Sequence, residues 1–283
     1  MNLNAQQTNA LVTRLVAVVA ALVVVPIIIV LVYVTVQGIG AIDWEFLTAP
    51  PREGMREGGI APALLGTVFL TIGTAIVTIP LALGAAVYLA EYAGENLLTR
   101  VLRLAIINLA GVPSIVYGLF GLGMFVLFFN FGTSLLAGSL TLGLMTLPIV
   151  ISTAEEAILT VPQEFRIVSL SLGATKWQTI RHQVLPNALP GILTGVILGL
   201  SRAAGETAPI LFTVAAFYLP ELPRSIFDQT MALPYHLFVI STQVPGMPLQ
   251  VQYGTALVLL FLVLLLTGIA TTVRTIMRRR REW

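Results

Sequence analysis

Six long apolar stretches separated by polar loops run along the 283-residue chain, at 11–36, 63–90, about 101–129, about 134–154, about 188–217 and about 254–273. At about 1.5 Å per residue, each is long enough for a helix to cross a hydrocarbon layer of about 30 Å. The first has one internal charge, Arg14. It exceeds the roughly 7–15 apolar residues of a leader core and is predicted to be a retained helix, mildly kinked at Pro26.

One polar connection has a helical pattern of its own. Between 155 and 186, Thr160 with Gln163 and Thr175 with Gln178 have the spacing of capping boxes, in which each side chain satisfies one of the other's orphan N–H groups. Pro162 suits a first helical turn, Gly173 can adopt the left-handed angles that end a helix, and Pro186 is expected to stop the next one. Phe165, Val168 and Leu172 fall on one face of the first helix, and Trp177, Ile180 and Val184 on one face of the second. The pattern predicts a bent pair of amphipathic helices outside the membrane.

The fifth stretch departs from uniform apolarity. SRAAGETAP, 201–209, places Arg202 and Glu206 inside it, with Arg202 roughly 24 Å along a helix starting near Pro186. Charges at a helix centre cost at least ~2.5 kcal/mol each, so both should face protein or water. Four residues apart, they share one helical face, and Pro209 is expected to loosen the helix between them. They either serve a function within the membrane or form a structural ion pair.

Composition excludes an ordinary soluble domain: 10% of residues are charged and 57% hydrophobic, and mean hydropathy is +0.94. There are no cysteines for disulfides or thiolate metal sites, and His182 and His236 fall in opposite loops, which precludes a shared metal or catalytic site. His236 is expected to be a solvated or loop-packing residue rather than a proton relay. Charge also sets orientation. With the N-terminus inside, eleven Lys and Arg are cytoplasmic (Arg14, Arg100, Arg103, Arg166, Lys176, Arg181, Arg274 and Arg278 to Arg281), against Arg52, Arg56 and Arg224 outside. The helix-pair loop and both termini are thereby expected in the cytoplasm, with the 277–283 tail anchoring to anionic lipid.

Gly173, followed by Leu185 and Pro186, resembles the Glu-Ala-Ala loop of ABC importer permeases, although Ile167, Val168 and Ser169 stand where Glu-Ala-Ala is usual and Gln183 replaces an isoleucine. PPREGMREGGIAPALLGTVFLT, GVPSIVYGLFGLG, SLGATKWQTI and SRAAGETAPILFT are similar to PstA-type permeases of bacterial phosphate importers. The resemblance implies an all-α, six-span type I importer permease with units at 1–62, 63–276 and 277–283. It implies Arg202, Glu206 and Thr207 on the phosphate path. It also implies a coupling surface formed by Phe165, Leu172, Gly173, Ala174, Lys176, Trp177, Ile180, Arg181, Leu185 and Pro186. The implied partners are a PstC-type permease, a PstB-type ATPase pair carrying the ATP, and a PstS-type phosphate-binding protein. No cofactor is expected on this chain, which has no Gly-x-x-x-x-Gly-Lys phosphate loop.

Some readings remain paired. Trp177 is a docking anchor or an interfacial tryptophan, and the small residues of GVPSIVYGLFGLG mark helix packing in preference to a pore lining. A permease for sulfate or molybdate is the nearest alternative function, and an anion symporter a more distant one.

Overall fold

A computed structural model describes residues 5–279, which are mostly helical. The chain opens with α1 (Ala5–Gly38), which contains Pro26. It then passes through the short α2 (Trp44–Thr48), capped by Asp43 accepting from the Phe46 N–H at 2.7 Å. A small antiparallel hairpin follows, β1 (Pro51–Arg52) against β2 (Glu57–Gly58), inside what reads in sequence as an irregular loop. The second apolar stretch is α3 (Ala61–Val87), prolonged by a π turn to Tyr92.

The third stretch is not one straight span. It divides into α4 (Leu97–Ala110) and α5 (Ser114–Gly121, continued by π turns to Phe128), which meet at 104°. Pro113 cannot supply the N–H that would continue α4 and disfavours helical angles at Val112, so the chain turns there. Among the described residues, five helices are therefore long and apolar enough to cross a membrane, and the bent pair is the sixth candidate.

The centre of the fold is α6 (Leu135–Leu159), the most buried of these spans. It is followed by α7 (Gln163–Ser171), α8 (Lys176–Thr179), α9 (Leu185–Gly205), α10 (Ala208–Thr213), α11 (Leu233–Thr242) and α12 (Leu249–Arg279). Packing of α9 on α6 uses glycines one helical repeat apart. A Cβ at Gly191, Gly195 or Gly199 would press on Ala157, Thr153 or Val150 of α6. Such small residues let membrane helices approach closely where the hydrophobic effect between them is absent. Gly118 and Gly121 of α5 likewise lie against α10 and Thr141, which supports the packing reading of that motif. By contrast, α1 is exposed along most of its length and packs chiefly on α12, where Tyr33 and Tyr253 meet edge to face at 5.6 Å. The expected basic tail lies, from Arg280 onward, outside the described residues.

His236 of α11 is not solvated. It is 3% exposed, on an element outside the five spans, and burial lowers its imidazole to about 4. Because the folded value lies below the unfolded one, the unfolded chain takes the proton first and stability falls as pH drops from about 6.5 towards 4. Thermal melting in detergent is expected to show about 2 kcal/mol lost by pH ~5 in the wild type and far less in His236→Gln.

Candidate functional site

The charged break in the fifth stretch lies where α9 ends. Helix geometry persists through Arg202 to Gly205, Glu206 turns to extended angles (φ −77°, ψ 135°), and α10 starts afresh at Ala208 with Pro209 in its first turn. The charges are thus not on one uninterrupted helix extending to 217, and the opening falls at Glu206 itself, not between it and Arg202. Two features cause it: Gly205 holds a helix poorly, and Pro209 has no N–H for the Gly205 carbonyl. Arg202 Nε donates to Glu206 Oε1 at 3.1 Å, and the Arg202 side chain is 42% exposed against 18% for Glu206. The terminal guanidinium nitrogens of Arg202 make no hydrogen bond or ion pair with the other described residues. Arg202 also sits in the last turn of α9, where carbonyls left without partners favour a cation. Glu206 lines a small cavity with Thr67 and Thr71 of α3, and Thr207 is half-buried beside it. The arrangement presents a partly neutralised planar donor fork at an interruption in a membrane helix, which is the chemistry that receives an oxyanion.

The connection between the fourth and fifth spans forms the expected helix-glycine-helix loop, with two differences. Gly173 takes φ +84°, and the Thr175–Gln178 capping box is complete. The Thr160–Gln163 box does not form. Thr160 Oγ1 instead donates to the Ala157 carbonyl at 2.8 Å, because α6 runs on to Leu159 and Thr160 closes its end, leaving Pro162 as the residue before α7. Nor does Pro186 stop the second helix. The chain runs from Lys176 to Gly205 as one helical unit, and a π turn at 180–184 widens the backbone where Pro186 offers no N–H and its ring crowds the His182 carbonyl.

The first helix presents its apolar face as the periodicity predicts, but the second does not: Trp177 parts from Ile180 and Val184. Phe165, Val168, Leu172 and Ala174 line a concavity of about 360 Å³ together with Glu164, Ser169 and Gln183. Leu172 is 82% exposed at the tip. Trp177 and Leu185 line a second concavity of about 350 Å³ with Tyr88 and Tyr92 at the end of α3, and Lys176 Nζ lies 4.8 Å from the Tyr92 ring centroid. Ile180 and Val184 are fully buried against α3, α6 and α9, so they fasten the loop to the spans while Trp177 and Arg181 remain outside. Ser169 and Thr179 hydroxyls meet at 2.9 Å and fix α7 to α8. Thr175→Ala is expected to cost about 1 kcal/mol locally, read as roughly fivefold faster amide exchange at Lys176 to Gln178.

Sequence reading gave Arg103 and Arg166 only a topological role. In the structure Arg103 pairs with Glu155 at 2.8 Å and Arg166 with Glu91 at 2.7 Å. The available signal was the acids: Glu91 and Glu155 stand at the ends of apolar stretches, where an unpaired carboxylate is costly.

The family model described as "Binding-protein-dependent transport system inner membrane component" matches residues 78–283. The chain is 33% identical over 253 residues to "Probable ABC transporter permease protein YqgI" of Bacillus subtilis (strain 168), covering 85% of this chain and 86% of that one. It is 38% identical over 244 residues to "Phosphate transport system permease protein PstA" of Mycobacterium leprae (strain TN), covering 84% and 79%. Among solved structures, the inward-facing MetNI methionine ABC transporter has a chain with a TM-score of 0.63 at 18% identity, covering 76% of this chain and 94% of that one, a likeness of fold. A span arrangement shared with a type I importer, a helix-glycine-helix loop between the fourth and fifth spans and a family match over most of the sequence agree: this multi-pass membrane chain belongs to the binding-protein-dependent transport system inner membrane components, the permeases of ABC importers.

Proposed function

We propose that this chain is a PstA-type permease, forming half of the pathway of an ATP-driven inorganic phosphate importer in a bacterial inner membrane. The observation that carries the phosphate reading is Arg202 at the broken end of α9, with no hydrogen bond from its terminal nitrogens to the other described residues; kinship with permeases named for phosphate transport supports it. Guanidinium offers a planar fork matched to oxyanion oxygens and stays charged where water is scarce. In the resting state Glu206 holds it; an arriving phosphate takes the arginine while a protonated phosphate oxygen donates to Glu206. Sulfate has no such proton near neutral pH, which gives the pair a basis for preference. Thr207 adds a hydroxyl on the same path.

The partners in this reading are a PstC-type permease, two PstB-type ATPase subunits and a PstS-type binding protein. The loop of α7 and α8 faces the cytoplasm with both termini, as the distribution of Lys and Arg favours. Phe165, Leu172, Gly173, Ala174, Lys176, Trp177 and Arg181 present its docking surface, while Ile180, Leu185 and Pro186 join it to α9. ATP binds and is hydrolysed on the ATPase pair, and their closure moves the loop and rocks the spans.

Labelled phosphate uptake into vesicles holding the assembled complex tests this. Uptake that requires ATP and the binding protein and resists excess sulfate is expected. Uptake displaced by sulfate would favour another oxyanion, and uptake indifferent to ATP would favour a symporter.

A further inference from the structure

Arg166 joins three elements at the loop end of the spans. Its Nη2 and Nε both donate to Glu91 Oε1, at 2.7 and 3.0 Å, and Glu91 lies in the π turn that ends α3. The same guanidinium reaches back to the open carbonyls at the end of α6: Nη2 to Ile158 at 3.0 Å, and Nη1 to Val161 at 2.6 Å and Pro162 at 3.4 Å. Its side chain is 11% exposed and that of Glu91 8%. A cytoplasmic arginine that serves only orientation would lie in water. Burying both charges is tolerable only because each finds several partners, and the planar fork spans them in a way a lysine's point charge cannot.

The position of the pair matters for force. α8 runs unbroken into α9, so movement of the loop reaches α9 through the backbone. α6 has no such link, because the chain leaves helical geometry at 160–162 and α7 could pivot about Pro162. Arg166 bridges that joint and, through Glu91, ties it to α3. Along α3, Thr67 and Thr71 line the cavity that holds Glu206. Among the described residues this is the one ion pair between α7 and a span.

We propose that the Arg166–Glu91 pair is the strut that transmits loop movement to α3 and α6, making both residues positioning residues for coupling. The proposal rests on the importer reading above. A charge exchange would not restore it, since a carboxylate at 166 would face the α6 carbonyls. Glu91→Gln, which keeps an acceptor oxygen, should be milder than Arg166→Gln, and Arg166→Lys should resemble Arg166→Gln.

The assembled complex with each variant tests this, scored for phosphate moved per ATP hydrolysed. Expected for Arg166→Gln is assembly at wild-type stoichiometry with uptake per ATP reduced roughly three- to tenfold. A second readout needs no knowledge of the cargo. With no native cysteine present, spin labels at Leu170→Cys and Leu97→Cys, both exposed and neither on the docking surface named above, report the distance from α7 to the start of α4, which should stay narrow in the wild type through the ATP cycle and broaden in Arg166→Gln. Unchanged uptake per ATP with an unchanged distance distribution would overturn the proposal, as would losses that only track loss of assembled complex. If the wild type moves no phosphate, the cargo reading fails while the distance measurement still judges the strut.

Discussion

In the assembled complex, Arg202→Gln is expected to lower ATP-driven phosphate uptake by roughly tenfold to a hundredfold, the loss of a hydrogen bond between charged partners. Assembly and basal ATP hydrolysis should persist. The Arg202–Glu206 contact is a single hydrogen bond at 3.1 Å from a side chain 42% exposed, so its contribution to stability, discounted for screening, is small. This separates the two meanings of the pair. If it only ties the end of α9 to its own cap, the glutamine variant should transport normally and melt slightly lower. If it lies on the path, transport should collapse with little change in melting. Arg202→Lys should fall between the two, keeping the charge and losing the fork.

Gly66→Ala should have the largest effect on folding. A Cβ at Gly66 would run into the Met231 carbonyl and the Thr230 hydroxyl. One residue on, Thr67 Oγ1 accepts from the Leu233 N–H at 2.8 Å, so α3 grips the segment leading into α11 through backbone contacts that cannot rotate away. A loss of about 3 kcal/mol is expected, the upper range for overpacking. Gly84→Ala, on the same helix, meets nothing within 4 Å and should be neutral or stabilising by up to ~1 kcal/mol. Melting midpoints of the two variants in one detergent compare them directly, and equal midpoints would show that the close approach at Gly66 does not constrain the fold.

The limits of sequence reading fall at identifiable residues. Gly173 and the Thr175–Gln178 box acted as their local chemistry requires because every participant lies within four residues. Thr160 has the same capping chemistry but was taken by α6, which runs five residues beyond the hydrophobic edge that marked its expected end. Pro186 was expected to break a helix and instead induced a π turn, because burial of Ile180 and Val184 holds the chain on course through it. Pro113 lies inside one unbroken apolar stretch and nonetheless divides it at 104°. A proline fixes only the missing hydrogen bond; its neighbours in space decide how the chain absorbs it.

What the sequence determined by itself is what depends on local pattern and on the membrane as solvent: the apolar stretches, the amphipathic loop, the placement of charge and the anomaly at Arg202 and Glu206. In hydrocarbon, backbone groups must be satisfied within the segment, so long apolar runs become helices whatever surrounds them. Only the tertiary structure decided which charges meet. Glu91 and Arg166 are 75 residues apart and Arg103 and Glu155 are 52 apart, and their pairing follows from the ends of α3 and α6 lying side by side with α4 and α7 against them. Sequence spacing has no reach over such distances; packing of α9 on α6 through three glycines, and of α3 on both, brings those ends together.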